Sequence, residues 1–536
     1  MSLDSLPAEI LQKIFDFLPS NEHLEKTRIS RRWNQLALRE TYLILAYGDQ
    51  LISERLLRRT TRGYCCFSVE FSEGYEPVQS RFALCAQRFF LRKLILDGIQ
   101  SYAMGLFVAE HASWVRSLVQ LSVTVWNQID SSGVGTVLEL PRLRTLSWTF
   151  NTEGGSKKLP SFRIKAPLLE DAFVECAEVS SSPLVFEDTR NLKSLGVFAP
   201  EVLGSMCPNG LESLDCFRVY NSTNPFAWDY ARLAMPRLKT LEISGCKLND
   251  TSQAFLGNFP NLETLIVQTA NENRINLSVL SRLLPKLKQL RLFDVKWTYD
   301  AGLTLFPNLM VLDINDTKPE VEHHEELTLS APHLKTVKGT GSNLHSFKLT
   351  DYSTVKLMIS YGPYINFVRP RLFASLMVLY LDVPCDRQDL LVTECIHQFP
   401  NLTRLTIVLH HKSQPVGLGG HLMAISFVQL RYLHLRNFDL DYQFLCGINK
   451  SSSIRTLILQ DGTLTLKPQD VIYFSANLQH FYMQNVKMPK HVDVFPTTNP
   501  ATELILSLPD GNVFSTTEWR EEIIKSREDY VKELLF

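Results

Sequence analysis

The phrases PRLRTLSW, PRLKTLEI, PNLETLIV, PKLKQLRL, PNLMVLDI, PNLTRLTI and VQLRYLHL recur along the chain and share the apolar spacing L-x-x-L-x-L, in most cases with a proline two positions ahead. Taking the first apolar position of each such phrase, repeats start at 91, 118, 143, 169, 192, 211, 238, 262, 287, 309, 334, 376, 402, 430, 454, 478 and 501. Most intervals fall between 19 and 28 residues, and self-similarity at that period is the mark of a solenoid. Each unit offers a short strand whose apolar side chains turn inward, followed by a helical or irregular return segment, and no unit can bury its own face. Stacking must supply the core, so the chain from about residue 90 onward is expected to form one quasi-linear body. The ladder is irregular. LKTLEISGCKL at 238–248 carries the full L-x-x-L-x-L-x-x-C-x-L pattern, whereas Val295, Phe438, Gly462 and Val486 stand elsewhere at the equivalent of Cys246. The step from 334 to 376 is too long for one unit, and NLHSFKL at 343–349 is a candidate extra strand.

A solenoid end is an open sheet edge and needs a cover. Residues 46–90 are expected to supply a helical linker at the front, continuing from TYLILAYGDQLISERLLRR. At the other end, Ser515 and Glu518 have capping-box spacing, and Trp519, Ile523, Tyr530 and Leu534 recur near the helical period, which predicts a capping helix over 513–536.

In each strand, the positions before, between and after the last two apolar residues point to the opposite face, the inner surface of a curved sheet. In the middle repeats those columns hold Asp171, Glu175, Asp215 and Glu242 with Ser and Thr. Toward the C-terminus they become Tyr380, Arg404, Tyr432, His434, Arg436, His480 and Tyr482. Tyr and Arg anchor interfaces because each buries a large surface while keeping a polar group to pair. This C-terminal sector is therefore the candidate substrate-binding surface, suited to an acidic or phosphorylated protein segment. The competing reading is a solvated strand face with Tyr chosen for its β-propensity.

The N-terminus has a different pattern. Over residues 6–18 the polar side chains Glu9, Gln12, Lys13 and Asp16 form one narrow helical stripe. Leu6, Ile10, Leu11, Ile14, Phe15, Phe17 and Leu18 cover more of the circumference than one neighbouring helix would use. Pro7 suits a helix start, Pro19 and Ser20 a stop, and Asn21 a cap for a second helix, while Leu36, Ala37 and Leu38 continue an apolar pattern beyond Arg31, Arg32 and Trp33. Three such helices make a core too small to stand alone. Either this segment caps the rest of the chain or its apolar surface meets a second protein.

LPAEILQKIF, followed by RISRRWNQLA, resembles an F-box, the helical module by which substrate receptors attach to the Skp-type adaptor of a cullin–RING ubiquitin ligase; His23 and Lys26 depart from the family's usual apolar or small residues. The repeats, with degenerate phrases such as KAPLLEDAFVE and SAPHLKTVKG, resemble those of F-box/leucine-rich-repeat proteins, so the resemblance covers nearly all of the chain. It implies an α/β fold: a small three-helix F-box over 1–45, the helical linker over 46–90, an irregular leucine-rich-repeat solenoid with a curved parallel sheet over 91–512, and the capping helix. It also implies a substrate-recognition subunit of an SCF-type E3 ligase. Leu6, Pro7, Ile10, Ile14 and Leu18 would face the adaptor, and through it a cullin, while the repeats hold a target protein for ubiquitination and proteasomal degradation. The alternative is a non-catalytic interaction scaffold or inhibitor whose helical N-terminus is only a cap.

Composition narrows the partners. A net charge of −1 over 536 residues carries no basic footprint, so nucleic acid is not an expected partner. The start lacks a signal-peptide pattern and no run of about 18 apolar residues occurs, so no membrane association is expected and the expected location is cytoplasm and/or nucleus. Ten cysteines without a C-x-x-C pair predict reduced, mostly buried thiols. Several N-x-S/T triplets, including Asn276 and Asn401, read as chance matches to a permissive pattern. VGLGGH at 416–421 reads as a loop without the setting of a phosphate cradle. The adjacent pairs His323-His324 and His410-His411 lack the i, i+4 spacing that aims two imidazoles at one zinc. No cofactor, no metal and no catalysis in the chain itself are expected.

Overall fold

The proline ahead of many of the repeats has a geometric cause. Met235, Phe259, Leu284 and Ala331 each precede a proline, and each carbonyl accepts from the amide three residues on, that of Leu238 (3.1 Å), Leu262 (3.0 Å), Leu287 (3.1 Å) and Leu334 (3.1 Å). Proline's fixed φ suits the second position of such a turn. Met235, Phe259, Leu284 and Ala331 are themselves buried, so each turn contributes one apolar position more than L-x-x-L-x-L displays. The next two amides both reach one carbonyl of the preceding turn. Lys239 and Thr240 donate to Asp215 at 2.8 and 3.0 Å, and Lys335 and Thr336 donate to Met310 at 2.8 and 3.0 Å. That shared acceptor fixes the register in which each strand joins the last.

The structure, a computed structural model, describes residues 7, 11, 42–45, 66–70, 91–100, 115–127, 136–152, 162–176, 184–198, 206–207, 211–220, 235–246, 250–268, 274–300, 302–315, 318–319, 327–340, 347–351, 353–361, 374–384, 399–410, 416–417, 429–451, 453–467, 477–487, 503–507 and 513–515. They belong to two compact units, Met1–Leu262 and Glu263–Phe536. Among the described residues each is a parallel-sheet solenoid with few helices.

In the first unit the strands Tyr42–Leu45, Cys66–Glu70, Lys93–Gln100, Gln120–Asn127, Thr145–Thr152, Asp171–Cys176, Ser194–Val197, Cys216–Tyr220 and Thr240–Ser244 pair in chain order, all parallel. The return segments add a second parallel sheet, Thr136–Glu139, Phe162–Lys165 and Leu184–Phe186. Trp148 from the first sheet and Phe162 from the second meet with centroids 5.2 Å apart, both fully buried. In the second unit the main sheet runs Thr264–Gln268, Gln289–Phe293, Val311–Asn315, Thr336–Thr340, Leu357–Tyr361, Val378–Pro384, Arg404–His410, Tyr432–Arg436, Thr456–Gln460, His480–Gln484 and Glu503–Ser507. Short back strands pair behind it, Phe438–Asp441 with Val416–Gly417 and Thr463–Thr465 among them. Val416 and Gly417 are thus strand, not loop.

Two devices tie successive turns together. In the P-N-L phrases the asparagine amide donates to the preceding turn: Asn261 to the Pro236 carbonyl (2.7 Å), Asn308 to Pro285 (2.9 Å) and Asn401 to Ala374 (2.6 Å). Asn276 instead caps the helix Leu277–Leu283, accepting from the amides of Ser278 and Val279. Asn276 and Asn401, two of the N-x-S/T asparagines, therefore have structural tasks. The second device is at the strand exit, where Gly245, Asp294, Asn437, Asp461 and Asn485 take positive φ between 53° and 69°. Gly, Asn and Asp tolerate that conformation best. Each delivers the next side chain inward, so Cys246, Val295, Phe438 and Val486 are buried.

The structure shifts several expected boundaries. The turn assigned to 211 starts at Leu214, since Leu211 is the carbonyl partner of the opening bend and Leu214, Phe217 and Val219 carry the buried positions. The long step from 334 to 376 contains a full turn starting at Val355, whose strand is Leu357–Tyr361; Phe347–Leu349 is a back strand instead. The segment 46–90, expected to be helical, contributes the strand Cys66–Glu70, and Tyr42–Leu45 pairs with it. Where the C-terminal helix was expected to begin, Val513–Ser515 is a strand antiparallel to Glu503–Ser507. The remainder of that helix and the three F-box helices, apart from Pro7 and Leu11, lie outside the described residues. His323, His324 and His411 do too.

Gly462 occupies an inward exit position where a Cβ would collide with the backbone carbonyl of Phe438 in the neighbouring turn. Gly462→Ala should therefore destabilise the second unit by about 1–3 kcal/mol, the usual cost of overpacking, read as a lowered urea midpoint with unchanged slope.

Candidate functional site

Parallel pairing gives the C-terminal candidates one common face. Arg404 stands beside Tyr432, Tyr432 beside Thr456 and Thr456 beside His480. One column over, Tyr380, Thr406, His434, Ile458 and Tyr482 align, and Arg436 follows beside Gln460. Neighbouring strands lie about 4.8 Å apart, so these rows span one continuous patch. Within it the Arg404 guanidinium carbon lies 5.3 Å from the Tyr432 ring centroid, a cation–π arrangement. The rings of His480 and Tyr482 are parallel within 6°, and the Tyr482 hydroxyl is 3.4 Å from His480 Nδ1.

The candidates are not equally available. His434 is 4% exposed and underlies the patch instead of presenting to a partner. Arg436 donates through Nε to Asp461 at 2.8 Å, and the other Asp461 oxygen accepts from Asn485 at 3.0 Å. Asp461 also supplies one of the left-handed strand exits. The Arg436 charge is thus balanced within the chain, whereas Tyr380, Arg404, Tyr432, His480 and Tyr482 are half-buried with surface remaining.

Further toward the start of this unit the same face is closed over. Val311, Asp313, Thr336, Lys338, Leu357 and Ile359 all occupy outward columns, yet none is more than 8% exposed. Lys338 Nζ and Asp313 Oδ2 are 4.0 Å apart, with Arg291 on the other side of Asp313. Burial raises the Asp313 carboxyl above its ordinary value against the pull of Lys338 and Arg291. Burial likewise lowers the Lys338 ammonium, against the attraction of Asp313. These three charges were not singled out by the sequence pattern, although reading the middle column through the strands would have aligned them.

In the first unit Asp171, Glu175 and Glu242 lie on the outward face as expected. Asp215 does not. With the turn starting at Leu214, Asp215 precedes the strand and its carbonyl anchors the next turn. Glu242 is 3.5 Å from Arg218, and Glu175 accepts from the Thr149 hydroxyl at 3.2 Å. The same columns hold Phe173, Phe198 and Tyr220, which sequence reading passed over.

At the N-terminus the Leu11 amide donates to the Pro7 carbonyl at 3.1 Å, the i to i−4 bond of a helix. Leu11 is fully buried and Pro7 exposed. Leu6, Ile10, Ile14 and Leu18 lie outside the described residues. Residues 3–43 match the F-box-like family, so an F-box-like domain stands at the N-terminus ahead of a solenoid-type repeat body. No curated protein matches the chain. Among the described residues no three His, Cys, Asp or Glu side chains converge as metal ligands would, and no helix is long and apolar enough to cross a membrane.

Asp313→Ala leaves Lys338 buried without its counter-ion and should cost about 3 kcal/mol in stability. Adding Lys338→Met should recover part of that loss. Equal urea midpoints for wild type and Asp313→Ala would show that the buried pair contributes nothing.

Proposed function

We propose that the chain is the substrate-recognition subunit of an SCF-type E3 ubiquitin ligase, with a leucine-rich-repeat body. The F-box-like match over 3–43 carries this reading, because F-box domains generally bind Skp1-type adaptors. Leu6, Pro7, Ile10, Ile14 and Leu18 form the adaptor-facing set, and a cullin is reached through the adaptor. The repeat body holds a protein target, neither nucleic acid nor membrane, in the cytoplasm and/or nucleus. The chain performs no chemistry of its own; it raises the effective concentration of target lysines near a ubiquitin-charged enzyme. The rival reading, a scaffold or inhibitor with an N-terminal cap, keeps the repeat surface and drops the adaptor.

The test is a pull-down of purified chain with a Skp-type adaptor, comparing wild type with Leu6→Ala, Pro7→Ala, Ile10→Ala, whose repeats are shown by circular dichroism to stay folded. Binding by wild type and its loss in the variant is the expected result. No binding by wild type would give the scaffold reading first place.

For the repeat body, the half-buried rings of Tyr432 and Tyr482 on one face are the anchors for the target. Tyr432→Ala, Tyr482→Ala should reduce target recovery from cells at least tenfold while leaving adaptor binding unchanged. An unaltered set of co-purifying proteins would remove this patch as the recognition surface.

A further inference from the structure

The outward face of the first unit is mostly Ser, Thr, Gln and charged side chains, with one concentrated exception. Phe173 and Tyr220 stand on the first and third of three successive strands, Phe198 lies one residue past the end of the strand between them, and the three pack on one another. Phe173 meets Phe198 edge-on at 5.8 Å and Tyr220 at 5.9 Å, and Phe198 stacks on Tyr220 at 5.2 Å. The arrangement depends on Gly196, whose strand runs between those of Phe173 and Tyr220. A Cβ there would lie 2.8 Å from Phe173 Cδ2 and 3.6 Å from Tyr220 Cε2, so only glycine lets the Phe173 ring lie down across the sheet. All three rings remain half-buried, each with an accessible part.

The charges around this platform are uneven. Arg218, beside Gly196 in the ladder, is taken up by Glu242 at 3.5 Å. Asp171 and Glu175 flank Phe173 two residues to either side on the same strand face, and among the described residues neither has a cationic partner. Two carboxylates about 13 Å apart along the strand therefore bracket an aromatic surface. Because the rings touch one another, a compact ammonium has no slot between them, whereas a planar guanidinium can lie on an exposed ring and still reach a carboxylate.

We propose that this platform is a second recognition site, which takes an arginine side chain from a partner protein's extended segment, stacked on the Phe173, Phe198 and Tyr220 cluster and charge-paired with Asp171 or Glu175. It does not depend on adaptor binding and is distinct from the C-terminal patch.

The experiment titrates the full-length chain into fluorescein-labelled Gly-Arg-Gly-Arg-Gly-Arg-Gly, followed by anisotropy, with peptides carrying Glu or Leu in place of Arg for comparison. Saturable binding of the Arg peptide is expected, at least tenfold tighter than either comparison. Tyr220→Ala and Asp171→Asn, Glu175→Gln should each weaken it at least fivefold, and Gly196→Ala, which displaces Phe173 without altering charge, should do the same. Thermal unfolding and circular dichroism establish that each variant is folded; if Gly196→Ala is not, the other two decide. Equal binding by the folded variants would overturn the proposal, as would a Leu peptide that binds as tightly as the Arg peptide.

Discussion

A turn of about two dozen residues cannot shield its own leucines, so each turn of this chain is stable only against the next. The link that makes stacking specific is the pair of amides after each leading leucine, both bonded to one carbonyl of the turn before. That bond pair sets the register in which Leu241 and Ile243 face the core while Thr240, Glu242 and Ser244 face outward. A slip of one residue would exchange the two faces. Every functional surface described above is a column of side chains held in line by this register.

The periodic part of that architecture was legible in the sequence because leucine spacing and buried positions are the same information. Most repeat starts coincide with observed turns. The exceptions have physical causes. At 211–219 an additional leucine, Leu211, belongs to the opening bend and imitates a repeat start. Around 355 the turn reads V-K-L-M-I-S, with apolar residues on both faces of the strand, so its alternation is hidden. The return segments were harder still, since strands of three or four residues carry too few side chains to show a period. Glycine at 462 looked like a departure from the pattern; it is demanded by the neighbouring carbonyl.

The surfaces were legible in part. Reading alternate residues located the C-terminal tyrosines and arginines on one face. Exposure could not be read that way: His434 shares a column with Tyr482 and Arg436 stands in the next, yet one is buried and the other is tied to Asp461. Nor could the pattern distinguish a column that is open from one that is covered, as at Asp313 and Lys338. Of the aromatic trio of the first unit, Phe173 and Phe198 were visible in the columns read from the sequence, whereas Tyr220 joins them only with the turn start at Leu214, and the meaning of the trio depends on Gly196, an absence of side chain that spacing does not register.

The proposed division of labour, an adaptor held by the N-terminal domain and targets held by the repeat faces, is tested most directly by hydrogen exchange of the full-length chain with and without a Skp-type adaptor. The result expected is protection within residues 3–43 and unchanged exchange in the strands that carry Tyr432, Tyr482 and Tyr220. Protection absent from 3–43, or located on the repeat strands instead, would contradict it.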